Sequence, residues 1–375
     1  MTPTTAPGLD QVVAATTRLS HVDGERGELL IAGFPVEELA PHATFEQVAH
    51  LLWHGELPDA PALERLRAEL AAARALPAAT VELLRAAAAA GVPPMDALRM
   101  GAASLSLGAP PTEDAEAAAR RLVGAFPALV AASWRLGQGS EPLPPRPELG
   151  HAAAFLWLLE GVEATPERTR ALDTYLCTVV DHGLNASTFA ARVVVSTGSD
   201  LVSAITAAVG ALKGPLHGGA PGPALDTVFA IGSAERAEPV LREKLARGER
   251  LMGFGHRIYR VRDPRADVLG AAAERFYGEG GDAQLYALAR HVEATALRLL
   301  REKKPDRRLD TNVEFYTALL LHGLGLPTAL FTPTFAVGRV AGWTAHCLEQ
   351  LREGRLIRPQ AEYVGPRGRR WPGRG

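Results

Sequence analysis

Apolar residues recur at helical spacing over most of this chain, and the cap and turn residues between those stretches leave almost no room for a sheet. Leu172, Tyr175, Leu176, Val179 and Val180 fall at i, i+3, i+4, i+7 and i+8, the spacing that lays one apolar stripe along a 3.6-residue helix. Thr165 supplies a cap oxygen ahead of them, and Pro166 a first-turn residue with no amide hydrogen to satisfy; the helix is expected to stop at Asp181-His182-Gly183. Segments 235–245, 264–277, 282–300 and 328–350 read the same way. The alanine runs at 71–73 and 86–90 join top helix propensity to side chains small enough for close packing. One strand signal stands out: Asp23-Gly24, between RLSHV and ELLIAG, reads as the tight turn of a hairpin, with the pair supplying positive φ. The expected fold is all-α with one small N-terminal β-hairpin.

At 375 residues the chain exceeds the roughly 250–300 at which one hydrophobic core stops growing, so two domains are expected. Its 47% hydrophobic and 22% charged residues and net charge of -2 fit a soluble globular protein, with no global reason to expect nucleic acid or an anionic membrane as partner. Lysine and arginine concentrate in 301–308 and arginine from Arg352 onward, the latter run reading as a solvated basic tail. Two cysteines, Cys177 and Cys347, cannot form a disulfide framework, and a reducing cytoplasm fits. The N-terminal residues lack a basic-then-apolar leader, and no uncharged apolar run reaches about 18 residues, so neither export nor a membrane span is expected. The PxxP spacing in EPLPPRP (141–147) reads as a stiff connection between helices.

Three segments far apart each set one ionisable side chain in a constrained backbone: GPLHGGA with His217, GFGHRIYRVRDPR with His256, and NVEFY with Glu314. Two histidines and a carboxylate make a candidate acid/base site. Taken singly, each has a plainer reading. His217 among glycines satisfies a loop carbonyl, Glu314 just after the N-cap residue Asn312 complements a helix N-terminus, and RxxDPR starts a helix with a surface charge pair. GFG lacks the third glycine and preceding strand of a dinucleotide fingerprint, and HGG lacks the sheet and G-x-S-x-G elbow of a hydrolase. A metal site from His182, His217 and His256 has no helical H-x-x-x-H pair behind it. Arg260 and Arg265, four and nine residues after His256, are placed to hold carboxylate or phosphate oxygens.

These segments, with FTPTFAVGRVAGWTAH, LIRPQAEYVGP, DHGLNASTFAARVVVSTGSDL and the opening RLSHVDGERGEL, resemble the citrate synthase family in order and approximate spacing along nearly the whole chain. The resemblance implies a large helical domain, 1–220 with 332–375, and a smaller inserted helical domain, 221–331. It implies condensation of acetyl-CoA with oxaloacetate through an enol: Glu314 removes the methyl proton, His217 hydrogen-bonds the enol oxygen, and His256 polarises the ketone. His182, Arg265, Arg339 and Arg358 would bind oxaloacetate, with Arg358 reaching into the other subunit of a homodimer. Arg260 and Arg307 would meet the CoA phosphates, with the adenine against the backbone of Met252 to Gly255, Gly253 and Gly255 included. No permanently bound cofactor and no metal are implied; acetyl-CoA, or propionyl-CoA, is the co-substrate.

The chain departs from the family pattern in two places. Glu314 stands where the family most often has Asp; one more methylene moves a carboxylate by about 1.5 Å, and misplacement by about 1 Å can cost roughly a hundredfold in rate. Asp310-Thr311 replaces an aromatic and a proline, which suggests a looser lead-in to the Glu314 helix. Two alternatives follow: a 2-methylcitrate synthase using propionyl-CoA, and a catalytically silent paralogue that binds ligand as a regulatory subunit.

Overall fold

The computed structural model describes residues 7–9, 12–110, 112–218, 221–256, 258–305 and 307–371. β1 (Ser20–Asp23), β2 (Glu28–Ile31) and β3 (Phe34–Pro35) form an antiparallel sheet in that order. The remaining regular structure is helical: α1 (Val36–Leu39), α2 (Phe45–His54), α3 (Ala60–Ala73), α4 (Ala78–Ala89), α5 (Pro94–Ser104), α6 (Ala115–Gly137), α7 (His151–Glu160), α8 (Pro166–Val179), α9 (Ala186–Val195), α10 (Leu201–Leu212), α11 (Pro221–Ile231), α12 (Ala234–Ala246), α13 (Pro264–Gly278), α14 (Ala283–Lys303), α15 (Val313–Gly323) and α16 (Phe331–Glu353). The all-α expectation holds. Cys177 and Cys347 are buried free thiols, and among the described residues no helix is long and apolar enough to cross a membrane.

The hairpin forms, but not through the expected turn. Asp23 pairs with Glu28, so four residues, Gly24 to Gly27, make the connection, closed by the Gly27 amide on the Asp23 carbonyl at 2.9 Å. The Asp23 carboxylate accepts the Glu25 and Arg26 amides at 2.9 and 3.0 Å, the side-chain-to-backbone turn that Asp makes readily. Positive φ falls on Gly27, not Gly24, and the two-residue turn with both φ positive is Ala32-Gly33, between β2 and β3.

The cap signals are used as read. Thr165 Oγ1 accepts the Arg168 amide ahead of α8, and Asn312 Oδ1 accepts the Glu314 amide ahead of α15. α16 runs through the middle of the core and packs on α2, α6, α8, α9 and α10, with Trp343 wholly buried. Gly338 and Gly342, four apart and so on one helix face, let the end of α8 come close. A Cβ on Gly338 would meet Val179 Cγ2 at 2.8 Å, and one on Gly342 would meet the Val180 carbonyl oxygen at 2.2 Å. This approach places Asp181 and His182 beside Arg339, whose Nε donates to the Val179 carbonyl at 2.5 Å. α13 packs on both α8 and α15, and α15 on α11.

A methyl at Gly342 must push backbone away. Gly342→Ala is expected to lower stability by about 1–3 kcal/mol, measured by denaturant unfolding; an unchanged midpoint would show that α8 and α16 yield freely there.

Candidate active site

Three chain segments converge at the end of α8. His182 follows Asp181, both buried, and its Nε2 lies 3.1 Å from the Tyr259 hydroxyl. Burial, with Arg265 and Arg339 nearby, holds the His182 ring well below the ordinary histidine value, so it is neutral. The His256 ring stands edge-on to it, centroids 5.9 Å apart.

His256 is fixed by its own loop. Its Nδ1 accepts the Ile258 and Tyr259 amides at 3.0 and 3.1 Å. An amide can only donate, so the ring proton sits on Nε2. Nε2 lies 3.3 Å from Arg265 Nη2, which makes two donors converging on one place, an arrangement that an oxygen acceptor satisfies. Ahead of it, Gly253 (φ +88) and Gly255 (φ +79) adopt the left-handed conformation that glycine takes without strain.

That glycine turn is also what joins His256 to Glu314. The Gly253 carbonyl accepts the Asn312 amide at 3.0 Å, and the Gly255 amide donates to the Asp310 carbonyl at 2.7 Å. Asn312 spans the two segments, since its Oδ1 caps α15 while its Nδ2 donates to the Gly255 carbonyl at 2.8 Å. The lead-in to α15 is therefore firmly held, contrary to the looser one expected. Thr311 is buried and donates through Oγ1 to Glu293 Oε1 at 2.6 Å. Glu314 itself is half-buried; burial raises its pKa, opposed by the attraction of Arg265 and Arg250.

His217 sits in the turn after α10, its Nε2 accepting the Ser187 amide at the start of α9, at 3.4 Å, with Ser187 Oγ at 2.8 Å. The same amide argument places its ring proton on Nδ1. Ser187 Oγ is held in turn by Trp343 Nε1 at 3.1 Å and Asn185 Oδ1 at 2.7 Å. Gly219, which the sequence sets beside His217, lies outside the described residues.

Two buried guanidinium groups link these parts. Arg265, 4% exposed, makes a two-point bond to Asp263, Nε to Oδ1 at 3.0 Å and Nη2 to Oδ2 at 2.9 Å. The plainer reading of RxxDPR taken alone, a surface charge pair, does not apply, because α13 begins inside the core and both partners are buried. Burial works against the Arg265 charge, but Asp263 outweighs it and raises the pKa. Arg339, also buried, is lowered by burial to about 10 and still keeps its proton near neutrality.

The other arginine candidates are exposed. Arg260 is exposed and pairs with Glu25 across 2.5 Å; Arg307 is exposed on the turn after α14, and Arg358 on the irregular segment beyond α16. Sequence reasoning did not single out Tyr259, Asp263 or Ser187 as site residues. Only Asp263 carried a signal, as a helix cap before proline. Among the described residues no group of three His, Cys, Asp or Glu comes together as a metal site.

Neutral, differently oriented imidazole donors beside a partly desolvated carboxylate suit proton abstraction next to a carbonyl, with the developing charge on oxygen held by hydrogen bonds. Comparison with known proteins gives the family. Residues 8–360 match the family model described as citrate synthase, C-terminal domain. Citrate synthase 2 of Bacillus subtilis (strain 168) is 42% identical, covering 97% of this chain and 96% of its own. The 2-methylcitrate synthase of Shewanella oneidensis is 39% identical over 96% and 95%. The Thermoplasma acidophilum citrate synthase solved with carboxymethyl coenzyme A and oxaloacetate superposes at a TM-score of 0.88, with 30% identity over 99% and 98%.

Burial and Arg339 push His217 down to about 4, and burial and Arg265 push His256 to about 4 against the pull of Asp263, both from an ordinary 6.5. Between those values the unfolded chain binds protons that the folded one refuses, so stability is lost as pH drops from about 6.5 towards 4 and regained as pH rises. NMR titration of the ring resonances is expected to show both histidines unchanged from pH 8 to about 5.5; titration of either near 6.5 would contradict the buried, neutral assignment.

Proposed function

The chain belongs to the citrate synthase family, and from that footing we propose that it condenses acetyl-CoA with oxaloacetate and water to give citrate and CoA. What carries the reading is the pairing of two neutral histidines, protonated on opposite ring nitrogens, with a half-buried carboxylate around Arg265 and Arg339. Glu314 takes a methyl proton from acetyl-CoA while His217 Nδ1–H hydrogen-bonds the thioester oxygen as it gains enol character. The new carbon nucleophile attacks the ketone carbon of oxaloacetate while His256 Nε2–H polarises that ketone by hydrogen bonding, and the proton that Glu314 removed returns to neutralise the alkoxide, leaving both histidines neutral and Glu314 a carboxylate again. Water then cleaves the thioester of citryl-CoA, releasing citrate and the CoA thiol.

His182, Arg265 and Arg339 hold the oxaloacetate carboxylates. Arg358 completes the set from the second subunit of a homodimer, a reading supported by its exposed place on the irregular segment beyond α16. Arg260, Arg307 and the Gly253–Gly255 backbone receive CoA. We divide the chain into residues 1–220 with 332–375 and an inserted unit 221–331; His182, His217 and Arg339 come from the first, His256, Arg265 and Glu314 from the second. Closure of one over the other excludes water during enol formation. A cytoplasmic location accords with the two buried free thiols. Propionyl-CoA stands as a second acyl donor on the likeness to a 2-methylcitrate synthase, since a pocket distinguishes one methyl by only about 1–3 kcal/mol.

Glu314→Gln keeps shape and removes the base. It is expected to abolish thiol release while calorimetry still detects oxaloacetate binding; near-normal turnover would rule Glu314 out. Sharing of Arg358 has its own test. Chains carrying Arg358→Ala, mixed and re-annealed with chains carrying Glu314→Gln, are expected to recover about a quarter of wild-type activity, because half of the dimers are mixed and each holds one intact site. Absence of recovery would confine each site to one chain.

A further inference from the structure

We infer that the N-terminal hairpin is a positioning clamp for the two histidines assigned to oxaloacetate, holding His182 through Ser20 and the His256 loop through Gly24. The inference deepens the proposed condensation and rests on it for its kinetic readout.

Ser20 brackets His182. Its hydroxyl donates to Asp181 Oδ2 at 2.5 Å and accepts the Gly183 amide at 2.9 Å, fixing the backbone on either side of the histidine. Asp181 is itself anchored: His346 Nε2 lies 3.2 Å from the same carboxylate oxygen, Arg192 Nη1 lies 3.0 Å from His346 Nδ1, and Arg192 Nη1 donates to Glu349 at 2.7 Å. Glu349 Oε1 returns to the N-terminal segment by accepting the Arg18 amide at 2.9 Å and the Thr17 hydroxyl at 3.2 Å. The start of β1 is thus tied at both ends of one buried polar chain, and His182 sits against it.

The other end of the hairpin holds His256. The Gly24 carbonyl accepts the Arg260 amide at 2.8 Å, and the Gly24 α-carbon lies so near the loop that an added Cβ would stand 2.3 Å from the Ile258 carbonyl oxygen. At Gly27 an added Cβ would meet Val261 Cγ2 at 2.7 Å. The backbone seated on this turn is the backbone whose Ile258 and Tyr259 amides fix the His256 tautomer, and Tyr259 also reaches His182. Gly24 has no positive φ to require glycine, so close approach is what leaves room for no side chain there.

The test compares wild type, Gly24→Ala, Ser20→Ala and the control Gly137→Ala, whose added methyl meets nothing within 4 Å. Thermal unfolding establishes that each is folded. Gly24→Ala is expected to lower kcat/KM for oxaloacetate by about a hundredfold and Ser20→Ala to raise KM for oxaloacetate about tenfold, with KM for acetyl-CoA within about twofold in both. The ¹⁵N resonances of His256 should leave the Nε2–H tautomer in Gly24→Ala, and Gly137→Ala should match wild type. Folded variants with wild-type oxaloacetate kinetics and unmoved His256 resonances would overturn the clamp. If Gly24→Ala fails to fold, Ser20→Ala decides alone by its oxaloacetate KM. Inactive wild-type protein would sink the condensation instead, and the His256 resonances would then decide the clamp.

Discussion

The bond between Asp263 and Arg265 is the contact on which the site depends. Its carboxylate caps α13 by accepting the Arg265 amide at 3.1 Å, grips the Arg265 guanidinium at two points, and accepts the Val313 amide at the head of α15 at 3.3 Å. One side chain thereby sets where Arg265 points, where His256 meets it and where the Glu314 helix begins. A buried ion pair is poor evidence of stability, because desolvating two charges offsets most of their attraction. Its value here is placement. Removing either partner leaves a buried charge unpaired, which commonly costs about 3–5 kcal/mol.

Burial then decides protonation. The fields of Arg265 and Arg339 reach His182, His256 and His217, and each ring is held neutral by desolvation reinforced by a guanidinium. A neutral imidazole donates one hydrogen bond without delivering a full positive charge, and backbone amides choose the nitrogen. Glu314 experiences the opposite balance, since burial raises its pKa while Arg265 and Arg250 restrain the rise. A weakly acidic carbon acid next to a thioester calls for this combination: a base stronger than an exposed carboxylate, and donors already aimed where charge will form.

Much of this was legible in the sequence for a local reason. Helix periodicity and the caps at Thr165 and Asn312 are encoded within a few residues, and so are the glycines around His217 and His256 that mark constrained backbone. What failed to show depends on contacts between distant segments. RxxDPR reads as surface because nothing in those six residues reveals that α13 begins in the core. Asp23-Gly24 reads as a two-residue turn because the Asp23 carboxylate's hold on the next two amides, which lengthens the turn to four residues, is one of several options open to that side chain. Ser20 is an ordinary strand serine until Asp181 and Gly183 are brought to it from 161 and 163 residues away. Ser187 and Tyr259 likewise acquire their roles only when α9 and the His256 loop are packed.

The most direct test of the whole is thiol release from purified protein with oxaloacetate, supplying acetyl-CoA and propionyl-CoA in separate assays and comparing kcat/KM. Turnover with a higher kcat/KM for acetyl-CoA is the expected result and establishes that Glu314 serves in place of the family's usual aspartate. No thiol release with either donor, from folded protein that still binds oxaloacetate, would contradict it.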